Sequence, residues 1–328
     1  MTSKPASVFG VFAMIASVPQ ASAARAAEET YPARPVRMIV PFSPGSSDVT
    51  ARLVAQKLGG AFGQQFVVDN RPGAIGIIGT NMAARAPADG YTLLFHTCTL
   101  AISTALNKRL PYRVPQDFEA VARLANSPTI LVTHPSLPIN SVKDLIAFAK
   151  ANPEALNYGS IGPGSLAYLS AELFKASTGV RMTEVTYQGT APAVTALIAG
   201  EVQLMFSVLG AALPQVRSGK LKAIAMASAQ RSPLFPELPT VAESGVPGFD
   251  SVCWHGVLAP RGTDRAVLAR LNTHIVDAIA TSEMRGRLNA LGFESVPPAP
   301  PLEFAKFLSA EVDKWARVIR TAGVQVKD

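Results

Sequence analysis

After Tyr31 the chain alternates short apolar runs with segments whose apolar residues recur at helical spacing. Residues 36–40 (VRMIV) form a near-continuous apolar run, the pattern of a strand buried on both faces. The loop PFSPGSS follows. Ala51, Val54, Ala55 and Leu58 then put one apolar face on a helix predicted over 48–58, which Gly59 and Gly60 are expected to stop. Further strands are predicted at 65–70, 91–97, 129–134, 156–160, 202–206 and 221–226. A helix starts at the capping-box-like Asn140-Ser141 with Asp144 and ends before Asn152-Pro153. Others are predicted at 165–178, 191–199, 264–280 and 302–321. Strand–helix alternation of this kind implies parallel sheets with helices on both faces.

The start of the chain breaks this rhythm. Lys4 precedes an apolar run at 8–18 (VFGVFAMIASV), followed by the small residues ASA at 21–23 and ARAA at 24–27. That is the order of a secretory signal peptide, with cleavage after Ala23 or Ala27. Eleven residues are too few to span a bilayer, which needs about 20. The signal-peptide pattern implies an exported chain, and composition supports a folded one: 328 residues, 48% apolar and only 16% charged, which excludes disorder and coiled coil. The net charge of +7 is scattered without a run of basic residues, so a nucleic-acid partner is not expected. Two cysteines, Cys98 and Cys253, lie far apart; two buried free thiols are favoured here over a single bridge. His96, His134, His255 and His274 have no metal-ligand spacing, and neither metal nor cofactor is expected.

Two segments share a chemical design. MIVPFSPGSSD (38–48) and LNYGSIGPGS (156–165) each read as strand, Gly/Ser loop and helix start. A helix N-terminus presents free N–H groups and the positive end of its dipole, so such loops attract anions. Ser46, Ser47, Ser160, Gly164 and Ser165 are therefore candidate ligand contacts. Asp48 is the acid of these loops; it either complements the helix dipole or binds a ligand hydroxyl or ammonium. Phe42 and Trp254 are candidates for a cleft wall or for the core. Thr97 ends a strand, where ligands gather in open α/β sheets. There is no dinucleotide fingerprint, P-loop or G-x-S-x-G elbow, and an enzyme is not expected. The alternative is a secreted hydrolase whose Ser/His pair is separated in sequence.

The chain resembles the Bug-type solute receptors of tripartite tricarboxylate transport systems. The resemblance runs through YPARPVRMIVPF, SSDVTAR, VVDNRPGAIGIIGT, APADGYTLL, LPYRVPQDFEAVARL, NYGSIGPGS, TYQGTAPAVTALIAGEVQLMF, RSPLFPELPTVAESGVPGFD and CWHGVLAPRGT. It implies a two-lobed α/β periplasmic-binding-protein fold of the type II flytrap kind. On that reading residues 1–27 are the signal peptide, 28–126 with 252–328 are lobe I, and 127–251 are lobe II. It also implies a periplasmic location, a small carboxylate held between the lobes, and membrane transporter subunits as further partners; a monomer is expected. In the family pattern the first loop carries one more glycine than Pro41–Asp48 does here. Tyr168 stands where histidine is frequent, Gln188, just before Gly189, where lysine is common, and Ser207 where aspartate is common. These positions join the expected site.

Overall fold

The computed structural model describes residues 31–325, so the signal peptide expected over 1–27 lies outside the described residues. Strands β1 (Val36–Val40), β2 (Phe66–Asn70) and β3 (Thr92–Thr97) are parallel, with β1 between the other two. Helix α1 (Ser46–Phe62) links β1 to β2; a 3-10 turn (Ala74–Gly76) and α2 (Ile77–Ala84) link β2 to β3. The period-2 alternation of β1 assigns its residues to two cores. Val36, Met38 and Val40 pack with Ala51, Val54 and Leu58 of α1, while Ile39 packs with Ala83 of α2 and Leu94 of β3. That is why the run is apolar apart from Arg37, which pairs with Asp69 of β2.

Gly59 and Gly60 do not stop α1. The helix continues to Phe62 and ends at Gly63, which takes the left-handed conformation (φ 66°) and donates its N–H to the Gly59 carbonyl. Glycine inside a helix costs about 1 kcal/mol, which burial of the apolar face outweighs; the stop needs the left-handed cap.

After α3 (Thr99–Leu106) comes β4 (Phe118–Thr133), 16 residues long, of which sequence reading found only the second part. Then follow α4 (Val142–Ala151), β5 (Asn157–Ser160), α5 (Leu166–Thr178), β6 (Thr183–Thr186), α6 (Thr190–Ala199), β7 (Leu204–Val208), α7 (Leu209–Arg217) and β8 (Lys222–Met226). The chain returns through β9 (Val252–Pro260) and finishes with α8 (Arg265–Ala280), α9 (Ser282–Ala290), β10 (Glu294–Ser295) and α10 (Pro301–Thr321). The strand order is β2-β1-β3-β9-β4-β7-β5-β6.

The expectation of parallel sheets needs correction at the centre. β5 is parallel to both β6 and β7, as β1 is to β2 and β3. However, β9 is antiparallel to β3 and β4, and β4 is antiparallel to β7 and β8. The physical reason is that β4 changes partners along its length. Phe118–Pro128 pairs with β9, and Thr129–Thr133 pairs with β7. One strand thus runs out of the first parallel layer into the second, and β9 brings the chain back beside it.

Gly79 in α2 lets that helix approach the first loop. A Cβ there would lie 2.7 Å from the Arg71 carbonyl and 2.8 Å from the Pro41 ring. Gly79→Ala should destabilise the fold by about 1–3 kcal/mol, the usual range for overpacking. Thermal unfolding of the variant checks this; an unchanged melt would mean that the backbone yields freely there.

Candidate functional site

A cavity of about 700 Å³ lies where the two parallel layers face each other. The chain after β1 contributes Phe42, Ser43, Gly45 and Ser47, and the end of β3 contributes Thr97, Cys98 and Thr99. From the second layer come Ile161 to Leu166 in part, Gly189, Thr190 and Val208, at the starts of α5, α6 and α7. Ile75, before α2, and Ser127, Cys253 and His255, on β4 and β9, complete the lining. Every contributing parallel strand delivers its C-terminal end here, so the helices that follow aim their N-termini at the cavity.

Those termini differ in how their N–H groups are satisfied. Ser165 caps α5, its hydroxyl accepting from the Tyr168 N–H at 3.2 Å. The starts of α1, α3, α6 and α7 (caps Gly45, Cys98, Gly189 and Val208) receive no side-chain cap. At α3 the Thr99 N–H turns back to the Thr97 hydroxyl at 3.4 Å; the starts of α1, α6 and α7 face the cavity without a side-chain cap, and the dipoles make the space favourable to negative charge. Among the lining residues there is no Lys, Arg, Asp or Glu.

His255 is the lining residue with an ionisable ring. Burial, aided by neighbouring His96, pushes its pKa down from 6.5 to about 3, and burial does the same to His96. Both rings are therefore neutral in the folded protein. Unfolded histidines take up protons below 6.5 whereas these do not until about 3, so stability is complete above 6.5 and falls as pH drops through that window. The expected loss is roughly 1 kcal/mol per histidine by about pH 5.5. Melting curves of wild type and His96→Gln at pH 7.5 and 5.5 check this; the variant should lose less on acidification.

Cys98 and Cys253 form a disulfide, which corrects the expectation of two free thiols. The reason lies in strand register. Thr97 at the end of β3 stands opposite His255 of β9, which brings the next cysteine on each chain within 4.9 Å, Cα to Cα. That spacing suits a disulfide, and it follows from the pairing of two strands that sequence alone did not bring together.

Of the residues singled out from sequence, Phe42, Ser47, Thr97, Gly164, Ser165 and Gly189 line the cavity. The side chain of Ser46 lies outside the described residues. The others are placed elsewhere. Asp48 is buried and accepts from Arg52 Nε at 2.9 Å; Arg52 also donates to Asn70, which donates to the Phe42 carbonyl at 3.0 Å. The Arg52 guanidinium holds the Asp48 carboxyl below its usual range. This chain of bonds ties α1 to the loop that carries Phe42. Asp48→Asn should therefore lower stability by about 1 kcal/mol, from the lost first-turn charge and ion pair, with ligand affinity changed little; a large affinity loss at unchanged stability would point to direct contact.

Ser160 is fully buried; its hydroxyl accepts from the Gly162 N–H and donates to the Glu184 carboxylate. Tyr168 packs against two cores, and burial raises its hydroxyl's pKa. Ser207 is buried with its hydroxyl donating to the Val208 carbonyl, and Gln188 is exposed. Trp254 is wholly buried, edge-on to Phe304 and Phe307 of α10. Sequence reading missed Ile75, Ser127, Thr190 and His255. Thr190 had a signal, being the first residue of a helix after Gly189.

Comparison with known proteins places these features in a family. Residues 50–324 match the tripartite tricarboxylate transporter family receptor. The chain is 40% identical to protein BugT of Bordetella pertussis, over 98% of each chain. It is similar to a solved R. palustris protein with adipate (38% identity, TM-score 0.79, covering 89% of this chain and 98% of that one). It is also similar to MatC from Rhodopseudomonas palustris with bound malate (33% identity, TM-score 0.76, covering 88% and 100%).

Proposed function

We propose that this chain, which belongs to the tripartite tricarboxylate transporter receptor family, is a periplasmic receptor that closes on a small carboxylate. The observation that carries the reading is the set of helix N-termini without side-chain caps, those of α1, α6 and α7, around a cavity free of charged side chains. A carboxylate there is held by backbone N–H groups, neutral hydroxyls and dipoles rather than by an ion pair. The adipate and malate of the two relatives are small carboxylates of this kind.

The change of partners on β4 at Pro128/Thr129 supports a division into lobe I (28–126 and 252–328) and lobe II (127–251). Ligand then sits between lobes joined by β4 and by the segment leading into β9, and binding closes them by a hinge motion. The disulfide supports an oxidising compartment, and among the described residues no helix is long and apolar enough to cross a membrane. Transporter subunits in the membrane are the proposed onward partners of a monomeric receptor. No observation favours a Ser/His hydrolase: among the described residues no serine hydroxyl bonds to His255, and the Ser136–His134 contact belongs to an exposed turn.

The test is mass spectrometry of ligand released from gently purified protein, with small-angle scattering on the stripped and reloaded forms. A released carboxylate and a smaller radius of gyration when reloaded are expected. A neutral ligand, or turnover of the ligand, would overturn the reading.

A further inference from the structure

The segment Gly73–Gly76, whose Ile75 lines the cavity, has four consecutive residues with positive φ: 135°, 48°, 55° and 89°. Left-handed backbone is ordinary for glycine, disfavoured for alanine, and an outlier for β-branched isoleucine. The conformation is fixed from both sides. The Gly76 N–H donates to the Gly73 carbonyl at 3.0 Å, and the Thr80 hydroxyl donates to the Gly76 carbonyl at 2.7 Å. Gly76 itself lies against Phe42 and His96. Ile75 is thereby held in strained backbone while the residue stays 54% exposed. Neither the strain nor the exposure stabilises the fold, and backbone strain that persists in this way gathers at functional sites.

Ile75 faces the other layer. A Cβ added to Gly164 would lie 3.9 Å from Ile75 Cδ1 and 3.2 Å from Leu106 Cδ1. Ile75, Pro163 and Gly164 line both the main cavity and a second one of about 270 Å³, whose other apolar walls are Ala74, Ile77 and Leu106. These three residues form a partition between a chamber ringed by helix N-termini and a chamber that is chiefly apolar. A dry cavity of about 150 Å³ holds a benzene ring, so the second chamber has room for an aryl group or a short hydrocarbon chain.

We propose that Ile75 is a specificity-determining residue, and that the chamber behind it receives the apolar tail of a carboxylate whose head is bound at the helix N-termini. The inference rests on the receptor reading above. It makes the chain a receptor for carboxylates bearing a hydrocarbon or aromatic substituent, with Ile75 packing against the tail where it passes between chambers.

The test compares two probes with the same di-acid head, succinate and 2-benzylsuccinate, by titration calorimetry. Wild type should bind 2-benzylsuccinate at least about tenfold more tightly, since a buried ring contributes more than its ordering costs. Ile77→Phe, which fills the second chamber from its half-buried wall, should bring the two within about threefold while leaving succinate unchanged. Ile75→Gly relaxes the backbone and removes the partition; it should keep or raise the melting temperature yet lower the preference for the benzyl compound. A merely structural role for Ile75 predicts instead a lower melt and equal losses for both probes. Succinate binding with no gain from the benzyl group overturns this inference alone. Failure of both probes, when other carboxylates bind, overturns it too, whereas failure of every carboxylate counts against the receptor reading itself.

Discussion

Replacing both Cys98 and Cys253 by alanine is expected to destabilise the protein by about 2–5 kcal/mol. The bridge spans 155 residues of sequence, so it restricts a long loop of the unfolded chain. In the chain-entropy picture that restriction grows with loop length, to about 4.7 kcal/mol for a 100-residue loop. It also ties the start of α3 to β9 at the cavity floor. At about 2–4 °C per kcal/mol for a chain of this size, the melt should fall by roughly 4–20 °C. Calorimetry of the oxidised protein, the reduced protein and the double variant checks this. Reduced wild type and the variant should melt together, well below the oxidised form. A melt unchanged by reduction would mean that the bridge adds nothing the strand pairing does not already supply.

Trp254→Ala should have an effect of similar size, about 3–5 kcal/mol, through the cavity left in a closed core. Trp254 is 0% exposed and wedged against Phe304 and Phe307. Its neighbours Cys253 and His255 line the ligand cavity, while Trp254 points to the α10 side of the same strand. Measured where both proteins are folded, the ligand affinity of the variant should stay within about threefold of wild type, less than 1 kcal/mol. A small stability loss with a large affinity loss would instead make Trp254 a wall of the site.

The sequence revealed most where a pattern is local. VRMIV read as a strand because both of its faces meet helices, and the Asn140-Ser141 start read as a helix because its cap is made within one turn, Ser141 accepting from Asp144. The Gly/Ser loops pointed to the cavity for the same reason: a helix start is visible in its own few residues. What was hidden depends on distant partners. The first part of β4, FEAVARLANSP, shows no clean period of two because its pairing with β9 shifts register twice, between Ala120 and Ala122 and between Arg123 and Ala125. β9 places Trp254 in one core and His255 against the Phe95 and Phe293 rings of another, with glycine next along the strand. The disulfide and His255 became site features only once β3 and β9 were paired. Asp48 had two readings in sequence because a first-turn acid looks the same whether it meets a ligand or complements the helix dipole; here its carboxylate pairs with Arg52 four residues on.

In the proposed receptor, neutral donors and helix dipoles hold an anion. The most direct measurement is titration calorimetry of di- and tricarboxylates, acidic amino acids and aromatic carboxylates, each beside its primary amide. A carboxylate held by a few charge-assisted bonds and helix termini should reach micromolar affinity, about −8 kcal/mol. Its amide, with the same shape and no charge, should bind at least about a hundredfold more weakly, some 2.7 kcal/mol. Equal affinities for acid and amide would contradict the anion site outright.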